Sequence, residues 1–276
     1  MEIKINGQTA DIKIENEKTV GDVIVGLDNW LENSGHRLSG LIIDDKIIDA
    51  SSMNEAFQKE IGAAGAIDIL TSAYADLYET GLLSLLRDIG EYESLDFQNR
   101  KGFGADWNKR AQALFISEEA PDLFQLCEMT FTGQASAENL VRVTEERLRE
   151  VRNPSQELSF MQPVIAGICS KLTSLPLDIQ TGKDKLAAET IQAFTANTEK
   201  LFRLFRHLAV QGFIAENEFT AQIEQFGETV RELHDAYERN DCVLIGDMAE
   251  YEVAPKLEQL FNAFINGIKK TEAGHK

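Results

Sequence analysis

Glu272-Ala273-Gly274-His275 is the one place in this chain where a glutamate stands three residues before a histidine. Carboxylate-bridged metal pairs in helical bundles use that spacing on two helices and add a glutamate from each of two others. His36, His207 and His234 have Asn33, Leu204 and Arg231 at the corresponding position, and the single match falls in a polar terminal stretch. Glu224, Glu228 and Glu232 share one helix face, which a solvated stripe explains. No metal and no other cofactor is expected.

Other catalytic patterns fail on similar grounds. Gln180-Thr181-Gly182-Lys183-Asp184 has the look of a phosphate loop's end, but lacks the earlier glycine and the Ser or Thr after the lysine. It reads better as a helix start flanked by Thr181 and Asp184. His234-Asp235 could be drawn into a triad, yet no Gly-x-Ser-x-Gly elbow exists and helix neighbours point apart. Cys127, Cys169 and Cys242 are far apart, with no CxxC. Buried free thiols in a reducing compartment are the expectation. No catalytic residue emerges.

Binding candidates are better supported. Tyr74, Tyr78, Tyr92, Phe97, Phe103 and Trp107 gather where the hydrophobic period changes. If two domains meet there, a ligand site can form at the junction. Asp247, Glu250 and Glu252 surround Tyr251 just before Pro255, which removes the N–H that the Tyr251 carbonyl would use. A kink or polar notch is expected, serving packing or a partner surface. Phe202 sits beside the regular seam position Leu201, so its helix has a second apolar face needing a second neighbour, from the same chain or another.

The net charge of −19 is spread along the chain: 13 acidic against 6 basic residues in 1–71, and 33 against 21 in the rest. Such a field repels phosphate backbones and anionic lipid heads, so neither nucleic acid nor membrane is an expected partner. No apolar run approaches the roughly 20 residues of a membrane span. MEIKINGQ opens into a strand without an apolar signal core, and a cytoplasmic location is expected.

Two kinds of element must position these residues. Ile3 and Ile5 alternate with polar neighbours, as do Ala10, Ile12 and Ile14, and Asn6-Gly7 supplies the positive φ of a tight hairpin. Thr19 to Asp22 forms a capping box before Val20, Val23, Ile24, Leu27, Trp30 and Leu31, and Gly35 ends that helix. Leu41–Ile43 and Ile47-Ile48 flank a turn at 44–46, and 66–70 is a last strand. From Ser72 the period becomes 3.6. Residues 90–106 read as a polar connection, Pro121 as a helix start, Ser136 as a cap, and 176–182 as a loop. The last third keeps four–three spacing through Ala187–Leu208 and Phe219–Tyr237. A third series, Leu244, Met248 and Tyr251, resumes at Leu257. Short loops at 212–217 and 240–241 make neighbouring helices antiparallel.

The order strand–strand–helix–strand–strand–strand resembles the β-grasp (ubiquitin-like) fold over about a quarter of the chain. That resemblance invites comparison with sulfur carriers and modifiers, which activate a C-terminal Gly-Gly. Here Gly62-Ala63-Ala64-Gly65 stands in mid-chain. Plant-type ferredoxins share the fold but need four cysteines, and residues 1–71 have none. The expected protein is α+β: a β-grasp domain at 1–72, an all-α helical bundle at 73–270 and a disordered tail at 271–276. The expected role is a non-catalytic adaptor or scaffold working through protein contacts or self-association. The alternative is a ligand-binding protein or enzyme with its site at the junction of the two domains.

Overall fold

The computed structural model describes residues 2–12, 16–49, 52–239 and 241–274. The chain is α+β: a five-stranded sheet is followed by helices, and it parts into two compact units, Met1–Leu148 and Arg149–Lys276.

In the first unit, β1 (Glu2–Ile5) and β2 (Gln8–Thr9) form a hairpin over Asn6 (φ 50°) and Gly7 (φ 78°), as the Asn-Gly pair requires. The Asn6 side chain ties this turn to the sheet, donating to Thr71 Oγ1 and accepting from Thr71 N. The expected strand through Ile14 reaches only Thr9 as regular pairing, and residues 13–15 lie outside the described residues. Helix α1 (Val20–Asn33) starts on the expected box: Thr19 Oγ1 accepts from Asp22 N, and the Asp22 carboxylate accepts from Lys18 N and Thr19 N. Those backbone hydrogen bonds hold the Asp22 carboxyl below its usual range. Gly35, at φ 71°, follows the helix.

β3 (His36–Ile43), β4 (Lys46–Ile48) and β5 (Ala66–Ala73) complete the sheet in the order β2-β1-β5-β3-β4, with β1 and β5 parallel and the other pairs antiparallel. Val20, Val23 and Ile24 of α1 pack on Ile3, Leu41, Ile43, Ile67 and Ile69. Trp30, expected on this face, is 55% exposed. Asp44 and Asp45 both adopt positive φ in the β3–β4 turn. The Asp44 carboxylate accepts from Gly65 N and Ala66 N, which anchors the strained turn and keeps the carboxyl below its usual range. The sequence reading missed the short α2 (Met53–Gln58) and a 3₁₀ turn at Ile61–Ala63. Gly21 of α1 is needed here, since a Cβ would stand 3.0 Å from the Phe57 carbonyl oxygen.

α3 (Tyr74–Ser94) continues directly from β5. The expected connection at 90–106 is instead the end of α3 and the helix α4 (Phe97–Trp107). Asp96 explains the difference: its carboxylate accepts from Gln98 N and Asn99 N and caps a helix whose glycines had suggested a loop. α5 (Ala111–Glu119) and α6 (Pro121–Phe131) divide at Pro121, and Ser136 Oγ caps α7 (Ala137–Arg152).

The second unit is a bundle of α8 (Pro154–Gln180), α9 (Asp184–Val210), α10 (Thr220–Glu238), α11 (Cys242–Met248) and α12 (Ala254–Gly274). Its core holds Leu158, Ile165, Leu172, Phe194, Leu201, Phe205, Phe226, Leu257, Phe261 and Phe264. Phe264 stacks on Phe205 at 4.5 Å between ring centroids. Residues 176–180, expected as a loop, are helical. Pro176 is accommodated because Gly246 of α11 faces it, where a Cβ would stand 3.0 Å from the Pro176 Cβ. Thr181 closes α8 by donating to the Leu177 carbonyl rather than opening α9. Tyr237, expected in the seam, is 56% exposed. The helix of 254–274 runs through residues expected in the tail, and residues 275–276 lie outside the described ones.

Polar side chains also hold this unit together. Glu150 is fully buried and accepts two hydrogen bonds from the Arg203 guanidinium, at 3.0 and 3.2 Å. Lys200 donates to Glu157 at 3.2 Å. Such a bidentate pair fixes geometry as well as contributing energy.

Candidate functional site

Tyr74, Tyr78 and Trp107 are buried in the first unit, each at most 3% exposed. The Tyr74 and Tyr78 rings stack at 5.7 Å, Arg37 lies over Tyr74, and Tyr78 meets Phe115. Phe131 is the hub of a second cluster, with its ring centroid 5.0 to 5.3 Å from those of Tyr92, Phe103 and Trp107. Phe97 stands apart, 73% exposed beneath the Lys101 ammonium.

One carboxylate lies within this packing. Asp88 accepts from Trp107 Nε1 at 2.8 Å, from Arg110 Nη1 at 2.7 Å and from the Gln112 amide. Arg110 also donates to Glu91, which holds the Glu91 carboxyl below its usual range and raises the guanidinium's own value. Burial, with the Asp88 charge adding to it, pushes the Cys127 thiol up to about 12. Both Asp88 oxygens thus accept from donors, Oδ1 from Arg110 and Oδ2 from Trp107 and Gln112. This arrangement ties α3 to α4 and α5.

The second group of expected site residues lies on a different element. A π-helical turn, Ala249–Val253, separates α11 from α12, and Ala254 N donates to Ala249 O. The missing Pro255 N–H falls at this turn, where the backbone passes from i→i−4 to i→i−5 hydrogen bonding. Asp247 and Tyr251 are exposed and Glu250 is half-buried. A hydrogen bond with Glu250, then the Glu250 and Asp247 charges, raises the Tyr251 phenol above its ordinary value. That phenol is a hydrogen-bond donor at neutral pH and not a base. Lys256 bridges Glu252 and Thr229 Oγ1. Phe202 belongs to neither group: it packs against the bundle core, its ring 6.2 Å from that of Phe226.

His234 and Asp235, expected to point apart, offer ligand atoms within 4.8 Å of each other and of Glu238 on the exposed face of α10. All three are solvated, as acidic groups on a helix face commonly are. His275 of the Glu-x-x-His match lies outside the described residues.

Among the described residues, two concavities are lined by none of these side chains. A groove of about 650 Å³ runs between β4 and α2, bordered by Ile43, Asp44, Ile48, Glu55 and Lys59, next to residues 50–51, which are outside the described ones. A cavity of about 300 Å³ opens at one end of the second unit's bundle. The only sequence signal for it was Ala187-Ala188, small residues on a track that later carries Phe194, Leu201 and Phe205.

Residues 1–73 are similar to the TP0873 N-terminal domain family, and residues 158–263 to a domain of unknown function, DUF8042. The first match ends where β5 ends, and the second runs from α8 into α12. No curated protein and no solved structure matches the chain. Among the described residues, no helix is long and apolar enough to cross a membrane.

Proposed function

We propose that the protein is a non-catalytic cytoplasmic adaptor or scaffold that acts through protein contacts, in the first place with a second copy of itself. Its N-terminal sheet is read as a β-grasp module spanning 1–72, ahead of the helices. The strand order β2-β1-β5-β3-β4, with a parallel central pair and one helix packed on the sheet, supports that reading. The packed rings of Tyr74, Tyr78 and Trp107 weigh against a ligand site among them.

One observation carries the proposal. Between Glu157 and Asp178, α8 has a single charged side chain, Lys171, in a chain of net charge −19. Its outward positions include Phe160 (62% exposed), Val164 (42%) and Leu177 (59%). Two copies with this much negative charge repel wherever their carboxylates face. A helix face about 30 Å long that carries no carboxylate, and only the Lys171 ammonium, is where they can approach and bury apolar surface. Nucleic acid and membrane are excluded from the proposal by the same charge.

Light scattering on the full chain over a range of concentrations tests this. A rise in mass that Phe160→Glu abolishes, with the melting temperature of the dilute protein unchanged, is expected. A chain that stays monomeric at every concentration overturns self-association through α8.

A further inference from the structure

We propose that the cavity at the end of the second unit's bundle is a binding site for small apolar cations, molecules with a compact aliphatic or aromatic body and one protonated amine. The proposal stands apart from the self-association of α8. Leu175 and Ile179 of α8, Ala188 and Ile191 of α9 and Ile245 of α11 line the cavity. It exists because Ala187 and Ala188 are too short to fill the end of a bundle whose inner turns are closed by Phe194 and Phe226. Its volume, about 300 Å³, is at the small end of ligand pockets, which run from roughly 300 to 1,000 Å³. The apolar walls and few polar groups also fit that type of pocket.

The polar groups choose the charge. Asp184, Tyr237 and Cys242 are the polar side chains among the lining residues, and no Lys or Arg is among them. The two lysines that flank Asp184 in sequence already have carboxylate partners, Lys183 at 3.0 Å from Asp178 and Lys185 at 3.8 Å from Glu189. An anion entering here would find no cation among the lining residues and would meet the carboxylate of Asp184, exposed at the rim. A protonated amine would find a carboxylate at the wall, and the negative field of the whole chain raises its local concentration.

Hexylamine, hexanol and hexanoate are probes of equal chain length that separate these terms. Cys242 provides a readout that needs no activity. It is exposed, whereas burial pushes the Cys127 thiol up to about 12 and the Cys169 thiol up to about 11. N-ethylmaleimide should therefore modify Cys242 first, as peptide mapping would verify. On the full chain, hexylamine is expected to slow this modification saturably and to bind by calorimetry. Hexanol should bind about tenfold more weakly and hexanoate not at all. Asp184→Asn should bring hexylamine down to the level of hexanol. Ala188→Leu should abolish protection by every probe while the circular dichroism spectrum stays unchanged. The proposal is overturned if hexanoate or hexanol binds as well as hexylamine. It is equally overturned if hexylamine gives no saturable protection of the wild-type chain, or protects the folded Ala188→Leu variant as well.

Discussion

The Trp107 indole donates to the Asp88 carboxylate at 2.8 Å across α4 and α3, with the tryptophan fully buried and the aspartate 7% exposed. Arg110 and Gln112 converge on the same carboxylate. Removing the acceptor would leave the fully buried indole N–H without this partner and Arg110 with Glu91 alone. Asp88→Ala is expected to cost about 3 kcal/mol, and Asp88→Asn less, since an amide oxygen still accepts from Trp107. Urea denaturation followed by tryptophan fluorescence would check both. Equal losses in the two variants would show that the Arg110 charge, and not the indole hydrogen bond, dominates.

Phe202 packs on the core of its own unit, beside Phe226. The neighbour for the second apolar face of α9 therefore comes from the same chain. Phe202→Glu should destabilise the bundle by about 2–4 kcal/mol, whereas Phe202→Leu should cost under roughly 1.5 kcal/mol. If Phe202→Glu melts like the wild type but changes its mass in light scattering, this assignment is wrong.

Asp22 and Asp44 are both held below their ordinary value of 3.8 by backbone N–H donors. A carboxylate depressed in the folded state contributes stability that is fully present above its unfolded pKa. That stability is lost as the pH falls through the lower folded value. The sheet should therefore weaken below about pH 4, and Asp44→Asn should flatten part of that loss. Melting temperatures of the two proteins from about pH 6 to pH 3 provide the comparison, and parallel curves would remove Asp44 from the account.

Two helical glycines should respond in opposite ways to alanine. Nothing stands within 4 Å of a Cβ at Gly227, so Gly227→Ala should stabilise α10 by about 0.5–1 kcal/mol. At Gly267 a Cβ would come within 2.7 Å of the Phe219 ring, which stacks edge-on with Phe264 in the core. Gly267→Ala should lose stability despite the better helix propensity. Chemical denaturation of both variants decides the matter, and a stabilised Gly267→Ala would mean that the Phe219 ring shifts at little cost.

Local chemistry made much of the fold legible from the residues. Asn6-Gly7, the Thr19–Asp22 box, Gly35, Pro121 and Ser136 each act within a few residues of themselves, and each stands where the pattern placed it. The misreadings came where a distant partner decides. Pro176 looked like a helix stop, but Gly246, 70 positions away, makes room for it. The glycines of 90–106 suggest a loop, but the Asp96 cap outweighs them and starts a helix. Of the expected site residues, Tyr74, Tyr78 and Trp107 lie buried against neighbouring rings. Aromatic clustering in sequence does not say whether rings face a cavity or one another. The cavity beside Ala188 left almost no trace, since an absence of side-chain volume has no motif.

The π-helical turn at Ala249–Val253 also bears on how the α11–α12 region can vary in length. A single extra residue in an α-helix produces such a turn, and it rotates everything beyond it by about 100° relative to what precedes. Met248 and Leu257 both reach the core because of that offset, while Tyr251 is turned outward. A homologue one residue shorter here would have an unbroken helix, and one flank would have to re-register its apolar face. In an alignment of relatives, a gap at these five positions should therefore travel with compensating changes at Met248 or Leu257, and the presence of Tyr251 should track the insertion.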